Sequence, residues 1–123
     1  MYKLMIKGRL DNYNNYIAAC RTHPMKGAKL KGKNEEKVKA AIYEQLGRLR
    51  IQKPVYIKYR WYEKDRRRDL DNVSSFGRKV IQDALVATKV LQNDGWKNIT
   101  GFQDSFFVDA ENPRIEIEIE AVE

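Results

Sequence analysis

The segment Arg66-Arg67-Arg68-Asp69-Leu70-Asp71-Asn72 sets two carboxylates two residues apart, directly behind three guanidinium groups. Residues i and i+2 of an extended chain share a face, so Asp69 and Asp71 could both reach one cation. The competing reading is local: acids at a helix start are favoured by the macrodipole, and either aspartate could be only a cap. A third acid, Asp94, stands beside Asn93 past the helical pattern that follows, where a carboxylate opposes the dipole. A straight helix over 72–92 would hold Asp71 and Asp94 about 30 Å apart at 1.5 Å per residue. The three acids meet only if that helix starts late, ends early or bends back, or if acids of two subunits combine.

The elements that must position these groups are legible as periodicities. Met1–Lys7 alternates loosely up to Gly8 and reads as a strand, and Asp11 could cap a helix to about Arg21 with Tyr13, Ile17 and Cys20 on its apolar side. Residues 21–33 contain Pro24, Gly27, Gly32 and five basic side chains (Arg21, Lys26, Lys29, Lys31, Lys33) without apolar periodicity, which predicts a long loop, either wrapping DNA or simply solvated. Asn34 is an imperfect cap for a second helix carrying Val38, Ala41, Ile42 and Leu46 and ending near Gly47. After Pro54, Val55, Ile57, Tyr59 and Trp61 alternate with Tyr56, Lys58, Arg60 and Tyr62, a strand with one buried face. Val73, Phe76, Val80, Ala84, Ala87 and Leu91 recur at helical spacing up to Asn93–Gly95. Two strands, about Ile99–Val108 and Arg114–Val122, follow, joined by a turn at Asp109–Pro113. Ser74 or Ser75 could cap a later start of the long helix. The order of elements predicts one α+β domain over residues 1–123, a mixed sheet with helices packed on one face.

Charge points to the partner. The chain is +7 overall, but residues 104–123 hold seven acids against Arg114 alone, leaving residues 1–103 with 23 basic and 10 acidic side chains. A field of that sign suits a polyanion, nucleic acid first, although a basic surface says nothing about chemistry. No apolar run approaches the ~20 residues of a membrane span. Neither a secretory leader nor a Walker-type phosphate loop is visible, so a soluble cytoplasmic chain without membrane attachment or nucleotide cofactor is expected. Cys20 is the single cysteine and His23 the single histidine, which excludes an internal disulfide and leaves no donor set for zinc; Cys20 is expected to be a buried thiol. Trp61 reads as core, whereas Trp96, between Gly95 and Lys97, is equally suited to core and to stacking on a base.

The run Arg66-Arg67-Arg68-Asp69-Leu70-Asp71-Asn72, then Lys79, Asp83-Ala84-Leu85 and Asn93-Asp94, resembles the RusA-type Holliday-junction resolvases, whose hallmark is an arginine-rich run, Asp-x-Asp-Asn, a helical lysine, Asp-Ala-Leu and a later aspartate. The resemblance implies that Asp69, Asp71 and Asp94 bind Mg²⁺, or Mn²⁺ in its place, at one site. It further implies a homodimer that holds a four-way junction of DNA and nicks two strands symmetrically in recombination and repair. Arg66, Arg67 and Arg68 would grip flanking phosphates, as would Lys26, Lys29 and Lys31 of the basic segment, and Lys79 would stabilise charge at the phosphoryl group. The chain departs from the family in two places. The lysine usually falls one turn after the second aspartate, where this chain has Ser75, so Arg78 rivals Lys79 for the cationic role; and Asn93 replaces a frequent second acid. Asp83, four residues after Lys79, reads as its ion-pair partner on a helix surface. Two other readings share these residues: a nuclease of flaps or forks, and a branched-DNA or other nucleic-acid binding module without chemistry in which the acids are caps and surface charges.

Overall fold

In a computed structural model describing residues 1–122, the chain runs β1 (Tyr2–Lys7), α1 (Tyr13–Thr22), α2 (Pro24–Gln45), β2 (Val55–Glu63), α3 (Leu70–Ala87), β3 (Ile99–Val108) and β4 (Arg114–Ala121). Glu123, the last of the acids counted above, lies outside the described residues. The strands form one mixed sheet in the order β1-β4-β2-β3, with β4 antiparallel to both neighbours and β2 parallel to β3. The expected α+β class, with helices on one face of a mixed sheet, is what the chain adopts.

Alternation fixes the register. Ile115, Ile117 and Ile119 of β4 face Ile6, Leu4 and Tyr2 on one side and Trp61, Tyr59 and Ile57 on the other. All of these except Tyr2 are buried, and the helices close over them with Val38 and Ile42 of α2 and Val80, Ile81, Ala84 and Leu85 of α3. Gly77 of α3 sits where a Cβ would come within 2.7 Å of the Trp61 ring, so only glycine lets the helix lie this close to the sheet. On the opposite face Glu116 and Glu118 take cations: Arg60 reaches Glu118 at 2.9 Å and Arg114 reaches Glu116 at 2.8 Å.

Several expectations need correction. Residues 24–45 are one helix of 22 residues, not a loop up to residue 33. Pro24 occupies its first turn, where the missing N–H costs nothing, and Gly27 packs on the Cys20 side chain of α1. Asn34, in the middle of this helix, caps nothing: its side chain receives the Asp11 N–H at 2.9 Å and donates to the Asp11 carboxylate at 2.7 Å, tying α2 to the connection after β1. Asn12, with a capping box to Asn15, starts α1 rather than Asp11; Tyr13 is exposed, Cys20 only half-buried, and Tyr16 makes the contact with α3 by stacking on Phe76. Strands β3 and β4, joined by a turn as expected, are not neighbours in the sheet. The Asp109–Pro113 turn carries the chain over the end of β2, which lies between them. There Asp109 N–H donates to the Glu63 carbonyl at 2.7 Å.

Helix α3 begins at Leu70, with neither serine capping a later start; Ser74 Oγ donates back to the Leu70 carbonyl at 3.2 Å. It ends at Ala87, earlier than the apolar stripe predicts. Thr88 closes it through a hydroxyl bond to the Ala84 carbonyl at 2.8 Å, and Lys89 turns the chain with φ +66°. Val90 and Leu91 continue the helical spacing in sequence, but they are buried in the returning turn, where Ile51 N–H donates to the Val90 carbonyl at 2.8 Å.

Candidate active site

A parallel pair of strands needs a crossover, and α3 supplies it between β2 and β3. The carboxyl ends of both strands therefore lie at the same edge as the start of α3, the place where α/β units hold ligands. An open cleft of about 630 Å³ lies there, lined by Glu63, Asp65, Arg66, Arg68 and Asp69 on its polar side and by Leu70, Val73 and Phe106–Val108 on its apolar side.

Asp69 occupies the N-cap position of α3 with extended backbone, yet its side chain makes no capping bond. Asp71 lies in the first helical turn. Both are exposed, and neither carboxylate has a hydrogen-bond or ion-pair partner among the described residues. The local reading of these acids as caps therefore lacks the bond that would define one. Beside them Asn72 accepts the Asn14 N–H at 3.1 Å, joining the start of α1 to the start of α3.

The three arginines diverge. Arg66 and Arg67 are exposed, whereas Arg68 turns inward, donating to the Leu10 carbonyl at 3.0 Å and lying 3.9 Å from Glu63. Burial, and then repulsion from Arg9, push the Arg68 guanidinium below its ordinary value. Glu63, buried at the end of β2, also held by Arg9 at 3.2 Å and lining the cleft, is an acid that the sequence pattern did not single out.

Arg78 and Lys79 separate just as clearly. Arg78 forms a tight ion pair with Asp104 and lies 4.7 Å over the Phe102 ring, while Asp104 also accepts the Trp61 indole N–H at 2.9 Å. Asp104 is paired with Tyr59 on the helix-facing side of β3. An acid at an inward position of an alternating strand was the signal that could have found it. Lys79 is solvent-facing, 3.2 Å from Asp83 and 3.6 Å from Asp94. Its bond to Asp83, with both carboxylates nearby, raises the lysine above its ordinary value and keeps it a cation.

The structure thus resolves the route to Asp94: α3 ends early and the turn folds back along it. It places Asp94 near Lys79, which is eight residues, or about 12 Å, along the helix from Asp71. Asp69 and Asp71 share one end and Asp94 lies beyond the second turn; among the described residues no three His, Cys, Asp or Glu side chains are grouped closely enough to hold a metal ion.

The basic segment becomes one face of α2. Lys26, Lys29 and Lys33 are exposed at positions that follow one another along a helix side, whereas Lys31 is drawn to Asp83 at 2.7 Å. Asp83 is therefore shared between Lys31 and Lys79. Burial acts to raise its carboxyl, but the two lysines outweigh burial and hold it below its ordinary value. No helix among the described residues is long and apolar enough to cross a membrane.

A mixed sheet with one crossover helix, free carboxylates at the strand ends and a basic helix beside them has the features of a nuclease that cuts polyanionic strands. The family model described as Endodeoxyribonuclease RusA matches residues 3–120, and the chain belongs to that family of endodeoxyribonucleases. No curated protein matches it.

Proposed function

We propose that this endodeoxyribonuclease is a divalent-metal-dependent resolvase that binds four-way DNA junctions as a homodimer and introduces paired symmetric nicks in recombination and repair. The observation that carries the reading is the pair of exposed, unpartnered carboxylates, Asp69 on the cleft lining and Asp71 in the adjoining first turn of α3. Hard oxygen donors of this kind fit Mg²⁺, or Mn²⁺ in its place, which commonly keeps one or two carboxylates and takes its remaining ligands from water and substrate phosphate. Bound there, the ion would supply Lewis-acid stabilisation and a more acidic water.

The remaining roles belong to the chain itself. Arg66, exposed on the cleft lining, and Arg67, exposed next to it with Asp65 at 3.7 Å, hold the phosphates flanking the scissile bond; Arg68 braces the mouth through Leu10 and Glu63. Lys79 is the cation that meets the phosphoryl oxygens, because Arg78 is committed to Asp104. Lys26, Lys29 and Lys33 track a DNA arm along α2. Asp94 joins Asp69 and Asp71 from the second copy, an arrangement that accounts for two sites acting in concert and for the separation of the three acids within one chain.

The test is cleavage of a synthetic four-way junction against matched duplex and flap substrates, in Mg²⁺ or Ca²⁺, with wild type and Asp71→Asn. Paired nicks confined to the junction, to Mg²⁺ and to the intact aspartate are expected. Equal cutting of flaps would redirect the reading to a flap or fork nuclease, and unaltered cutting by the Asp71→Asn variant would remove the carboxylates from the mechanism.

A further inference from the structure

Trp96 is 98% exposed, well beyond the next most exposed large apolar side chain, Met1 at 65%. Its support is firmly tied. The Gly95 carbonyl accepts the N–H groups of Asn98 and Ile99, both at 3.0 Å, the Asn93 side chain accepts the Asp94 N–H at 2.8 Å, and the Asn98 carbonyl takes the Val55 N–H at 2.8 Å. The turn is fastened to itself and to the start of β2, so the indole projects from a set position two residues from Asp94. Fold stability gives no reason for it: the ring stacks on no aromatic side chain and its N–H has no partner among the described residues.

The surroundings decide between occupants. The buried core of a homodimer interface is more apolar than the rest of a protein surface. In sequence Trp96 is flanked by Asn93, Asp94, Gly95, Lys97 and Asn98, none with a large apolar side chain, whereas the exposed apolar residues Leu70, Phe107 and Val108 gather at the cleft at the other end of α3. One flat aromatic face in a polar setting, on a chain that is strongly basic over residues 1–103, suits a nucleobase, which every DNA sequence can present. Linear duplex keeps its bases in one continuous stack, whereas at a branch point the strands change partners and a bound protein can open the stack at lower cost. We propose that Trp96 stacks on a base unstacked at the branch point and so holds the strand in register with the Asp94 carboxylate. The inference rests on the junction-binding reading above.

Intrinsic fluorescence tests it on the intact protein, because Trp61, the second tryptophan, is 2% exposed and gives a steady background. The wild type is titrated in Ca²⁺ with a synthetic four-way junction or a matched linear duplex, alongside Trp96→Ala and Trp96→Phe. The junction is expected to quench the exposed emission and the duplex to leave it unchanged. Trp96→Ala should bind the junction about tenfold more weakly with unchanged duplex affinity, and Trp96→Phe should recover most of the loss. Preferential junction binding without quenching, and unaffected by Trp96→Ala, would overturn the stacking role while leaving the junction reading intact. Equal binding of junction and duplex would overturn that reading and the stacking role with it. An indole shielded from acrylamide in the DNA-free protein, with Trp96→Ala converting a dimer to monomer, would assign the residue to a subunit interface and overturn the proposal.

Discussion

The two halves of α3 treat charge in opposite ways. In its first turn Asp69 and Asp71 stand exposed and unpaired, tolerated because the positive end of the helix dipole favours anions there. Two turns further, Lys79, Asp83 and Asp94 are joined to one another and to Lys31 of α2, so that charges near the helix middle are partnered. The contrast separates groups the fold uses from groups it only carries. Ion pairs among α2, α3 and the following turn hold elements together, whereas a pair of carboxylates contributing nothing to packing is available to an incoming cation.

The sharpest way to break this contrast is to ask whether its two halves act across subunits. If Asp94 of one copy completes the site of Asp69 and Asp71 on the other, Asp71→Asn and Asp94→Asn proteins are each inactive, by about 10³-fold or more for loss of a metal carboxylate. Mixed before junction is added, and allowed to exchange subunits, they form heterodimers in which one composite site retains all three aspartates. Cleavage then returns as single nicks. Mixtures that form heterodimers by tagged pull-down yet stay inactive would place all three acids of each site on one chain.

Arg78 and Lys79 sharpen the same comparison with smaller effects. Removing Arg78 leaves Asp104 half-buried with only the Trp61 N–H, so Arg78→Ala should lose about 1–3 kcal/mol of stability, read as a lower Tm. Lys79→Ala should leave Tm nearly unchanged, since Asp83 keeps Lys31, while junction cleavage falls about 10²-fold. A stable Arg78→Ala protein with lost cleavage, beside an active Lys79→Ala protein, would exchange their roles.

How much of this was legible in the sequence depended on the range of the interaction. Strands β1, β2, β3 and β4 were bounded within a residue or so, because alternation and punctuation by Gly8, Pro54 and Asp109–Pro113 are local. Pairing partners are not local, and nothing in Ile115–Glu120 says that β4 inserts between β1 and β2. The start of α2 was hidden by Pro24, Gly27 and Gly32, which weigh against a helix interior. Proline in the first turn is harmless, and Gly27 serves the close packing of α1 on α2. For α3 the stripe extended through Leu91, whose burial owes to the returning turn. The aspartates announced themselves by spacing; the partners that sort the cations, Asp104 for Arg78 and Lys31 for Asp83, lie 26 and 52 residues away in sequence and left no local mark.

The smallest effect expected is the pH dependence of the paired half of α3. Asp83 is held below its ordinary value of 3.8 by Lys31 and Lys79, despite the opposing effect of burial. A carboxyl depressed on folding stabilises the native state above its unfolded value, and that contribution disappears as pH falls through the lower folded value. Asp83→Asn, nearly isosteric but uncharged, should therefore be less stable than wild type by about 1 kcal/mol at neutral pH, with the difference shrinking only once pH falls below the ordinary carboxyl value of 3.8 and through the lower folded value. Urea unfolding at a series of pH values reads the difference directly. A gap that stays constant into acid would mean that the asparagine perturbs packing rather than removing a charge. A gap absent at every pH would show that the Lys31 and Lys79 pairs contribute nothing to stability, and the contrast between the two halves of the helix would then lie in geometry alone.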